Sequence, residues 1–258
     1  MSTYVVTGAA SGIGLVTAEI LSGRGHRVLG VDLRGSDIDA DLATGAGRTA
    51  MVEQITARTD GRIDAIVACA GLSSPTTDTV RVNYYGAVAT LGGLRPLLAG
   101  SPAPRAVAVV SMASIFPPDE RLLALLLDGA DEESAVARAA ELAADERAPQ
   151  IYGTTKRALS LWLRSRAPEP AWAGAGIPLN AVAPGIIETP MTTDLIATEE
   201  AKTALLKTVP MPLNGIAKPE VVGNLIAWLT SAENTHLCGQ VVFVDGGSDA
   251  VLRGASTW

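Results

Sequence analysis

Short runs of apolar residues alternate along this chain with segments whose apolar positions recur at helical spacing. The runs predict six strands, at residues 4–7, 27–32, 63–70, 106–111, 179–183 and 240–244. The segments between them predict helices at 12–22, 80–98, 155–166 and 219–231. The strand runs are apolar at successive positions, which is typical of strands that helices cover on both faces. The order therefore predicts one α/β domain with a doubly wound parallel sheet of about seven strands.

Two segments depart from this alternation, and both predict helical additions to the domain. Residues 117–150 hold the apolar run 122–127, a turn near Gly129, and apolar positions 135, 136, 139, 142 and 143, whose spacing predicts an amphipathic helix. Residues 189–211 predict a helical flap that carries Leu195, Ile196, Leu205 and Leu206. No linker divides the chain, so residues 1–258 are expected to form a single domain.

Composition and charge exclude several classes of protein. Apolar residues make up 48% of the 258 and aromatic residues only 4%, so aliphatic side chains must fill the core. A net charge of −7 without a basic patch argues against nucleic-acid binding. The apolar runs are far shorter than the about 20 residues that a membrane helix needs, and no export signal is visible, so we expect a cytoplasmic protein. Ligand spacing predicts no metal site, and Cys69 and Cys238 are expected to be free thiols.

A glycine-rich turn joins the first predicted strand to the first predicted helix. Its sequence is Thr7-Gly8-Ala9-Ala10-Ser11-Gly12-Ile13-Gly14. At such a helix N-terminus Gly8 allows a tight turn, Gly12 leaves room for a pyrophosphate, and Gly14 lets the helix pack close to the strand. The spacing Gly-x3-Gly-x-Gly differs from the generic dinucleotide fingerprint, and a glycine-rich turn alone is sometimes only a turn.

Asp32 ends the second predicted strand about 20 residues after the glycines, where a carboxylate can bind the ribose hydroxyls of an adenosine. A 2′-phosphate would meet this carboxylate as a like charge, so Asp32 favours NAD over NADP. Arg34 is close enough in the sequence to keep NADP as the less favoured alternative. A solvated carboxylate without a ligand is the other interpretation of Asp32.

Tyr152 and Lys156 are four residues apart, which places a phenol and an ammonium on one face of a helix. A neighbouring cation and an oxidised nicotinamide both favour phenolate, so we expect a lowered pKa for Tyr152 and a role in general acid/base chemistry. Such pairs also arise by chance on helix surfaces. Ser111 and Ser114 stand at and just after the end of a predicted strand, and either hydroxyl is a candidate to bind a substrate oxygen.

In their order along nearly the whole chain, these motifs resemble the short-chain dehydrogenase/reductase family. The matching residues are Thr7-Gly8-x3-Gly12-Ile13-Gly14, Asp32, Ala70-Gly71, Asn83, Ser111, Tyr152-x3-Lys156 and Pro184-Gly185. The resemblance implies a Rossmann fold and hydride transfer between a nicotinamide and a carbonyl or secondary alcohol. It implies that Tyr152 is the acid/base, that Lys156 lowers the pKa of Tyr152 and holds the nicotinamide ribose, and that Ser111 binds the substrate oxygen.

The same resemblance implies further site residues. Asn83 would hold a water that links Lys156 to solvent. Cofactor contacts are implied for Gly8, Ser11, Gly12, Ile13, Gly14, Asp32, Asp41, Leu42, Ala70, Gly71, Tyr152, Lys156, Pro184, Gly185 and Thr189.

Ser111 and Tyr152 stand 41 positions apart (152 minus 111), which is more than the family usually needs. Three features resemble the 3α-hydroxysteroid dehydrogenase/carbonyl reductase branch. They are this surplus of residues, the Cys69 that precedes Ala70-Gly71, and the sequence at 246–251, near the end of the chain. That branch implies a 3α-hydroxysteroid, a 3-oxosteroid or another hydrophobic carbonyl compound as substrate, and the family implies a homodimer or homotetramer.

Several alternatives remain open from the sequence. In one alternative, the run 122–127 forms a wall of an apolar substrate cleft together with Leu195, Ile196 and Trp172. In the other, the run is a core helix or a subunit-interface helix. The substrate is alternatively a cyclic diol or a 3-oxoacyl thioester. A sensor that binds a dinucleotide without catalysis is the hypothesis from another class, and the acid/base pair argues against it.

Overall fold

A computed structural model describes residues 1–257 and contains one seven-stranded sheet. The strands are β1 (Thr3–Thr7), β2 (Arg27–Asp32), β3 (Ile38–Asp39), β4 (Ala65–Ala68), β5 (Arg105–Val109), β6 (Leu179–Pro184) and β7 (Val241–Val244). Their order across the sheet is β3-β2-β1-β4-β5-β6-β7, and every neighbouring pair is parallel. The order reverses between β1 and β4, and ligands of open α/β sheets bind at the carboxyl ends of strands at such a point.

Helices cover both faces of this sheet, as the sequence predicts. The α-helices of the described residues are α1 (Gly12–Gly23), α2 (Gly45–Arg58), α3 (Thr77–Val80), α4 (Ala87–Leu94), α5 (Glu120–Leu127), α6 (Glu132–Ala143), α7 (Gln150–Arg166), α8 (Glu199–Thr208), α9 (Pro219–Leu229) and α10 (Ser248–Arg253). Helices α1 and α9 pack together on one face, while α2, α4 and α7 cover the other. Within residues 1–257, no helix combines the length and the apolar character that a membrane crossing requires.

Successive residues of each strand contribute to two separate cores, because their side chains point to opposite faces of the sheet. Val5 of β1 packs with Ile66 of β4 in the core under α2, α4 and α7. The next pair in register, Val6 and Val67, belongs to the core under α1 and α9. This burial on both faces explains why the strand sequences lack polar alternation.

Several elements differ from the sequence-based prediction. Helix α2 was not predicted, because it buries only Met51 and Ile55 and so has a very sparse apolar stripe. Strand β3 was not predicted, because two residues are too few to show a pattern. The helix predicted at 80–98 is divided into α3, a π-helical turn at Arg81–Gly86, α4 and a 3₁₀ turn at Arg95–Leu98. Helix α7 begins at Gln150, five residues before the predicted start (155 minus 150).

Residues 117–150, which we name the α5–α6 segment, pack against α7 through both of their helices. Leu122, Leu123 and Leu126 are buried in the core that α7 shares, so the apolar run of α5 is a core helix face. This agrees with the core alternative for that run and not with the cleft-wall alternative.

A charged pair with little solvent exposure joins the two helices of the α5–α6 segment. Asp119 caps α5 by accepting a hydrogen bond from Leu122 N at 2.8 Å. The guanidinium of Arg138 on α6 donates to both Asp119 oxygens, at 3.0 and 2.6 Å. The Arg138 hydrogen bonds are the main cause that lowers the pKa of Asp119. The pair is therefore charged at neutral pH, and its stabilisation is lost only as pH falls through that lowered pKa.

Replacing Arg138 tests the contribution of this pair to stability. We expect Arg138→Met to lower the free energy of unfolding by about 2 kcal/mol, because Asp119 would lose two hydrogen bonds from a charged partner. Arg121→Met is the matched control, since the exposed Arg121 pairs with Glu141 at the surface and should contribute less than about 0.5 kcal/mol. Urea denaturation of both variants measures the difference, and equal losses would contradict the assignment.

Candidate active site

The carboxyl ends of the central strands open into a cleft with a volume of about 490 Å³. All the site residues predicted from the sequence line this cleft, with the exception of Asn83. They are Gly8, Ser11, Gly12, Ile13, Gly14, Asp32, Asp41, Leu42, Ala70, Gly71, Ser111, Tyr152, Lys156, Pro184, Gly185 and Thr189. Residues that are far apart in the sequence therefore meet in one place.

The turn after β1 is held against the end of β4 by backbone contacts. The Thr7 hydroxyl accepts hydrogen bonds from Cys69 N and Ala70 N, both at 3.1 Å. Gly8 has a φ of +72°, and a Cβ on it would lie 2.9 Å from Ala70 Cα. Position 8 therefore needs glycine both for its conformation and for the close approach of the two strand ends. Thr7 belongs to the motif recognised in the sequence, but the spacing of that motif does not predict these hydrogen bonds.

The glycines of α1 leave backbone exposed to the cleft. A Cβ on Gly14 would lie 2.1 Å from Gly8 O, so only glycine fits where α1 packs on the turn. A Cβ on Gly12 would lie 3.3 Å from the Thr189 side chain, which places the start of the 189–211 segment over the turn. This cradle of backbone at a helix N-terminus suits a pyrophosphate.

Asp32 closes the cleft at the end of β2. Its Oδ2 accepts a hydrogen bond from Ala10 N at 2.9 Å, and its Oδ1 accepts one from Leu33 N at 2.7 Å. The carboxylate is thus fixed between the end of its strand and the glycine-rich turn. Arg34, which the sequence left as a possible partner of a 2′-phosphate, is not among the residues that line the cleft.

Ser111, Tyr152 and Lys156 lie at the other end of the cleft, on the turn after β5 and on α7. Burial raises the pKa of Tyr152 above its usual 10.0, and a hydrogen bond with the Ser111 side chain opposes this rise. Burial also lowers the pKa of Lys156 to about 8. The Lys156 ammonium donates to Val109 O at 2.9 Å and lies 5.8 Å from the centre of the Tyr152 ring.

The pKa of Tyr152 differs from the expectation that Lys156 lowers it. In the chain itself, desolvation is the largest influence on the phenol, and Lys156 is not among the groups that shift its pKa. Because the phenol is partly buried in the cleft wall, its charged form is disfavoured until another positive charge is near. The sequence could not predict this degree of burial.

Asn83 lies behind the cleft wall, in the π-helical turn. Its Oδ1 accepts a hydrogen bond from Leu72 N at 2.7 Å, and its Nδ2 donates to Leu72 O at 2.9 Å and to Thr155 Oγ1 at 3.3 Å. A Cβ on Gly71 would lie 3.2 Å from both Asn83 Oδ1 and Lys156 Nζ, so both polar atoms face the space that glycine leaves open at position 71. Asn83 therefore ties the wall segment at Leu72 to α7 and does not contact Lys156 directly.

Other residues considered as substrate contacts lie elsewhere. Ser114 is buried in the 3₁₀ turn after Ser111 and does not line the cleft. Trp172 is buried in the core, Leu195 is exposed, and Ile196 packs in a small cluster outside the cleft lining. Trp172, Leu195 and Ile196 thus do not line this cleft.

The cleft also has lining residues that the sequence analysis did not name. Val110, Ile187 and Met191 add apolar surface near its catalytic end, and Cys69 lies at the end of β4. Burial raises the pKa of the Cys69 thiol to about 12. Met191 belongs to an irregular Thr-rich segment, where no periodicity indicates which side chains face inward. Across residues 1–257, no group of three or more His, Cys, Asp or Glu side chains is placed to hold a metal ion.

Two protein-family models match most of this chain. The model described as short chain dehydrogenase matches residues 2–121. The model described as Enoyl-(Acyl carrier protein) reductase matches residues 132–249. The matched regions contain the glycine-rich turn in the first case and Tyr152 in the second.

Individual relatives are similar over almost the full length. A 3-alpha-hydroxysteroid dehydrogenase/carbonyl reductase of Comamonas testosteroni is 35% identical, with 98% of each chain covered. A cis-4-hydroxycyclohexanecarboxylate dehydrogenase of Sinomonas cyclohexanicum is 30% identical, with 96% of each chain covered. The crystal structure of a 3-alpha-hydroxysteroid dehydrogenase from Pseudomonas sp. B-0831 complexed with NADH has a TM-score of 0.90 at 35% identity, and covers 98% of this chain and 99% of that chain.

Two glycines of α1 give a matched test of the close packing at the turn. We expect Gly14→Ala to lower the free energy of unfolding by about 2 kcal/mol or more, because its methyl group would overlap Gly8 O. Gly23→Ala in the same helix has no heavy atom within 4 Å of the added methyl group. That control should stabilise the protein by about 0.5 kcal/mol, since alanine favours helix over glycine. Thermal unfolding compares the two, and a Gly14→Ala variant as stable as the wild type would contradict the packing argument.

Proposed function

Because this chain belongs to the short-chain dehydrogenase/reductase family and is an oxidoreductase acting on alcohol or carbonyl substrates, we propose that it uses NAD(H) to interconvert a 3α-hydroxysteroid and its 3-oxosteroid. The observation that carries the proposal is the meeting of Ser111, Tyr152 and Lys156 with Asp32 and the glycine-rich turn in one cleft. The proposed cofactor-binding residues and the proposed acid/base residues thus line one and the same cleft.

The cofactor end of the cleft supports NAD in preference to NADP. The backbone of Ser11, Gly12 and Ile13 would cradle the pyrophosphate, and Asp32 would accept hydrogen bonds from the ribose hydroxyls. A 2′-phosphate would be repelled by Asp32, which is held in place by two backbone N–H groups. The related Pseudomonas enzyme was crystallised with NADH, which is consistent with this preference.

The catalytic end of the cleft supports proton transfer at Tyr152. In our proposal the Tyr152 hydroxyl gives a proton to a carbonyl oxygen or takes one from an alcohol, while the Ser111 hydroxyl binds the same oxygen. When bound, the nicotinamide supplies or accepts the hydride. Lys156, which the Val109 carbonyl holds beside the Tyr152 ring, would bind the nicotinamide ribose.

Ketone reduction and alcohol oxidation should depend on pH in opposite ways, because they need different protonation states of Tyr152. The phenol must be protonated to reduce a ketone and deprotonated to oxidise an alcohol. Since burial raises its pKa, reduction is favoured at neutral pH and oxidation gains as pH rises. The positive charge of an oxidised nicotinamide would then lower the pKa of Tyr152, which Lys156 does not lower in the chain itself.

The surroundings of the acid/base pair support an apolar substrate. Met112, which follows Ser111, and Ile186, which follows Gly185, form a small cluster with Val209 and Met211. Residues of the 189–211 segment pack on this cluster, and Met191 and Ile187 add apolar lining to the cleft itself. The apolar lining from Val110, Ile187 and Met191 matches a largely hydrophobic ketone better than a charged or strongly polar one.

A second candidate substrate is a small cyclic alcohol. The Sinomonas relative is named for a hydroxycyclohexanecarboxylate, which is a secondary alcohol on a six-membered ring.

The 3-oxoacyl thioester alternative has no feature of the cleft in its favour. A purely sensory role is disfavoured because the acid/base residues are present and aligned in the cleft. The homodimer or homotetramer and the cytoplasmic location stay predictions from the sequence.

A substrate panel with both cofactors tests the proposed reaction. Purified protein should turn over 3-oxosteroids with NADH at a kcat/KM at least about tenfold above that for cyclohexanones or 3-oxoacyl thioesters, because only the steroid fills the apolar site. Replacing NADH by NADPH should lower kcat/KM by about tenfold or more, because Asp32 repels the 2′-phosphate. Equal rates with small cyclic ketones would favour the second candidate, and faster rates with NADPH would overturn the cofactor assignment.

The acid/base assignment predicts the behaviour of a conservative variant. Tyr152→Phe should lower kcat by about a thousandfold, because proton transfer to the substrate oxygen is lost while the ring remains. Its dissociation constant for NADH, measured by fluorescence titration, should stay within about twofold of the wild type, since the removed hydroxyl is one contact among many. Normal turnover by this variant would rule out Tyr152 as the proton donor. Tyr84→Phe is the control, because Tyr84 is buried in the core and does not line the cleft.

A further inference from the structure

Thr154 lies on the first turns of α7, between Tyr152 and Lys156, and its side chain is fully buried. Its Oγ1 accepts a hydrogen bond from the backbone N of Asp119 at 2.9 Å. Asp119 is 35 residues away in the sequence, at the start of α5. The turn of α7 that carries Tyr152 is therefore attached to the α5–α6 segment at one defined atom.

The donor of this hydrogen bond is itself held firmly. Asp119 caps α5 through Leu122 N, and Arg138 of α6 binds both carboxylate oxygens. Arg138 also donates to Glu141 Oε2 at 2.6 Å on the same helix. Since α5 and α6 both fix Asp119, its backbone N–H is presented to Thr154 from a rigid site.

At the neighbouring residue, Gly153, the same turn of α7 meets the residues that follow Ser111. A Cβ on Gly153 would lie 3.1 Å from Ala113 O, so these two backbones approach closely. Ala113 N in turn donates to Ser111 Oγ at 3.1 Å. The turn that carries Tyr152 thus contacts both the Ser111 turn, at Gly153, and the start of α5, at Thr154.

We propose that Thr154 is a positioning residue, whose hydrogen bond with Asp119 N presses the Tyr152 turn against the Ser111 turn and sets the separation of their hydroxyls. The proposal rests on the proposed function, because it assigns Ser111 and Tyr152 to one substrate oxygen. In this way the α5–α6 segment contributes to catalysis without lining the cleft.

Thr154→Val removes the acceptor and preserves the shape of the side chain. We expect kcat for ketone reduction to fall about tenfold, with KM for NADH within about twofold of the wild type, because a small displacement of a catalytic group costs rate and leaves the cofactor cradle intact. Thr154→Ser keeps the oxygen and should retain at least about half of the wild-type kcat.

Thr90→Val is the matched control for stability. Thr90 is also fully buried in a helix, where its hydroxyl donates to Gly86 O at 2.8 Å, and it does not line the cleft. This variant should lose a similar amount of stability in urea denaturation, about 1 kcal/mol, and keep the wild-type kcat. If Thr154→Val and Thr90→Val lower kcat equally, the effect is general destabilisation and the proposal fails.

A structural measurement decides the proposal without any substrate. Crystal structures of the wild type, Thr154→Val and Thr154→Ser should show the Ser111–Tyr152 hydroxyl separation increased in the valine variant alone. An unchanged separation in Thr154→Val would overturn the positioning role. A wild type that turns over no ketone of the panel would instead refute the proposed function, and the two failures are thereby distinguishable.

Discussion

The close approach of β1 to β4 at their carboxyl ends is the contact on which the cleft depends. The Thr7 hydroxyl binds two backbone N–H groups of the neighbouring strand end, and Gly8 packs on Ala70 with no room for a side chain. A buried hydroxyl that satisfies two backbone donors also prevents those donors from being left unpaired where the sheet ends. With the two ends locked together, the glycine-rich turn, the Asp32 carboxylate and the wall at Gly71 keep fixed relative positions.

The catalytic end of the cleft depends on a different arrangement, in which several parts of the chain contact the first turns of α7. The Ser111 turn and the α5–α6 segment contact consecutive residues of its first turns, and Asn83 reaches Thr155 from the π-helical turn. Three parts of the chain thus fix one helical turn that carries an acid/base residue. Rigid support of this kind costs little at the moment of reaction, because the groups need not be reorganised.

Sequence patterns predicted the sheet and the membership of the cleft well, because both depend on signals that are local or repeated. Continuous apolar runs indicated the strands, and the glycine spacing, Asp32 and the Tyr152-Lys156 pair each had a chemical reason at its position. The short strand β3 and the helix α2 carried too little apolar pattern to be recognised. The roles of Thr7, Thr154 and Asp119 could not be predicted, because they depend on hydrogen bonds between residues that are 35 to 63 positions apart. The burial of Tyr152 is also a tertiary property, and it changed the expected direction of the shift in its pKa.

Cys69 illustrates how the same burial limits unwanted chemistry. Its thiol lies in the cleft close to the charged Lys156 and Asp32, yet desolvation dominates and raises its pKa to about 12. A thiol that stays protonated at neutral pH is a weak nucleophile and exchanges slowly with disulfides. The cleft therefore carries a sulfur atom next to its acid/base residues that is expected to react slowly with alkylating agents and disulfides at neutral pH.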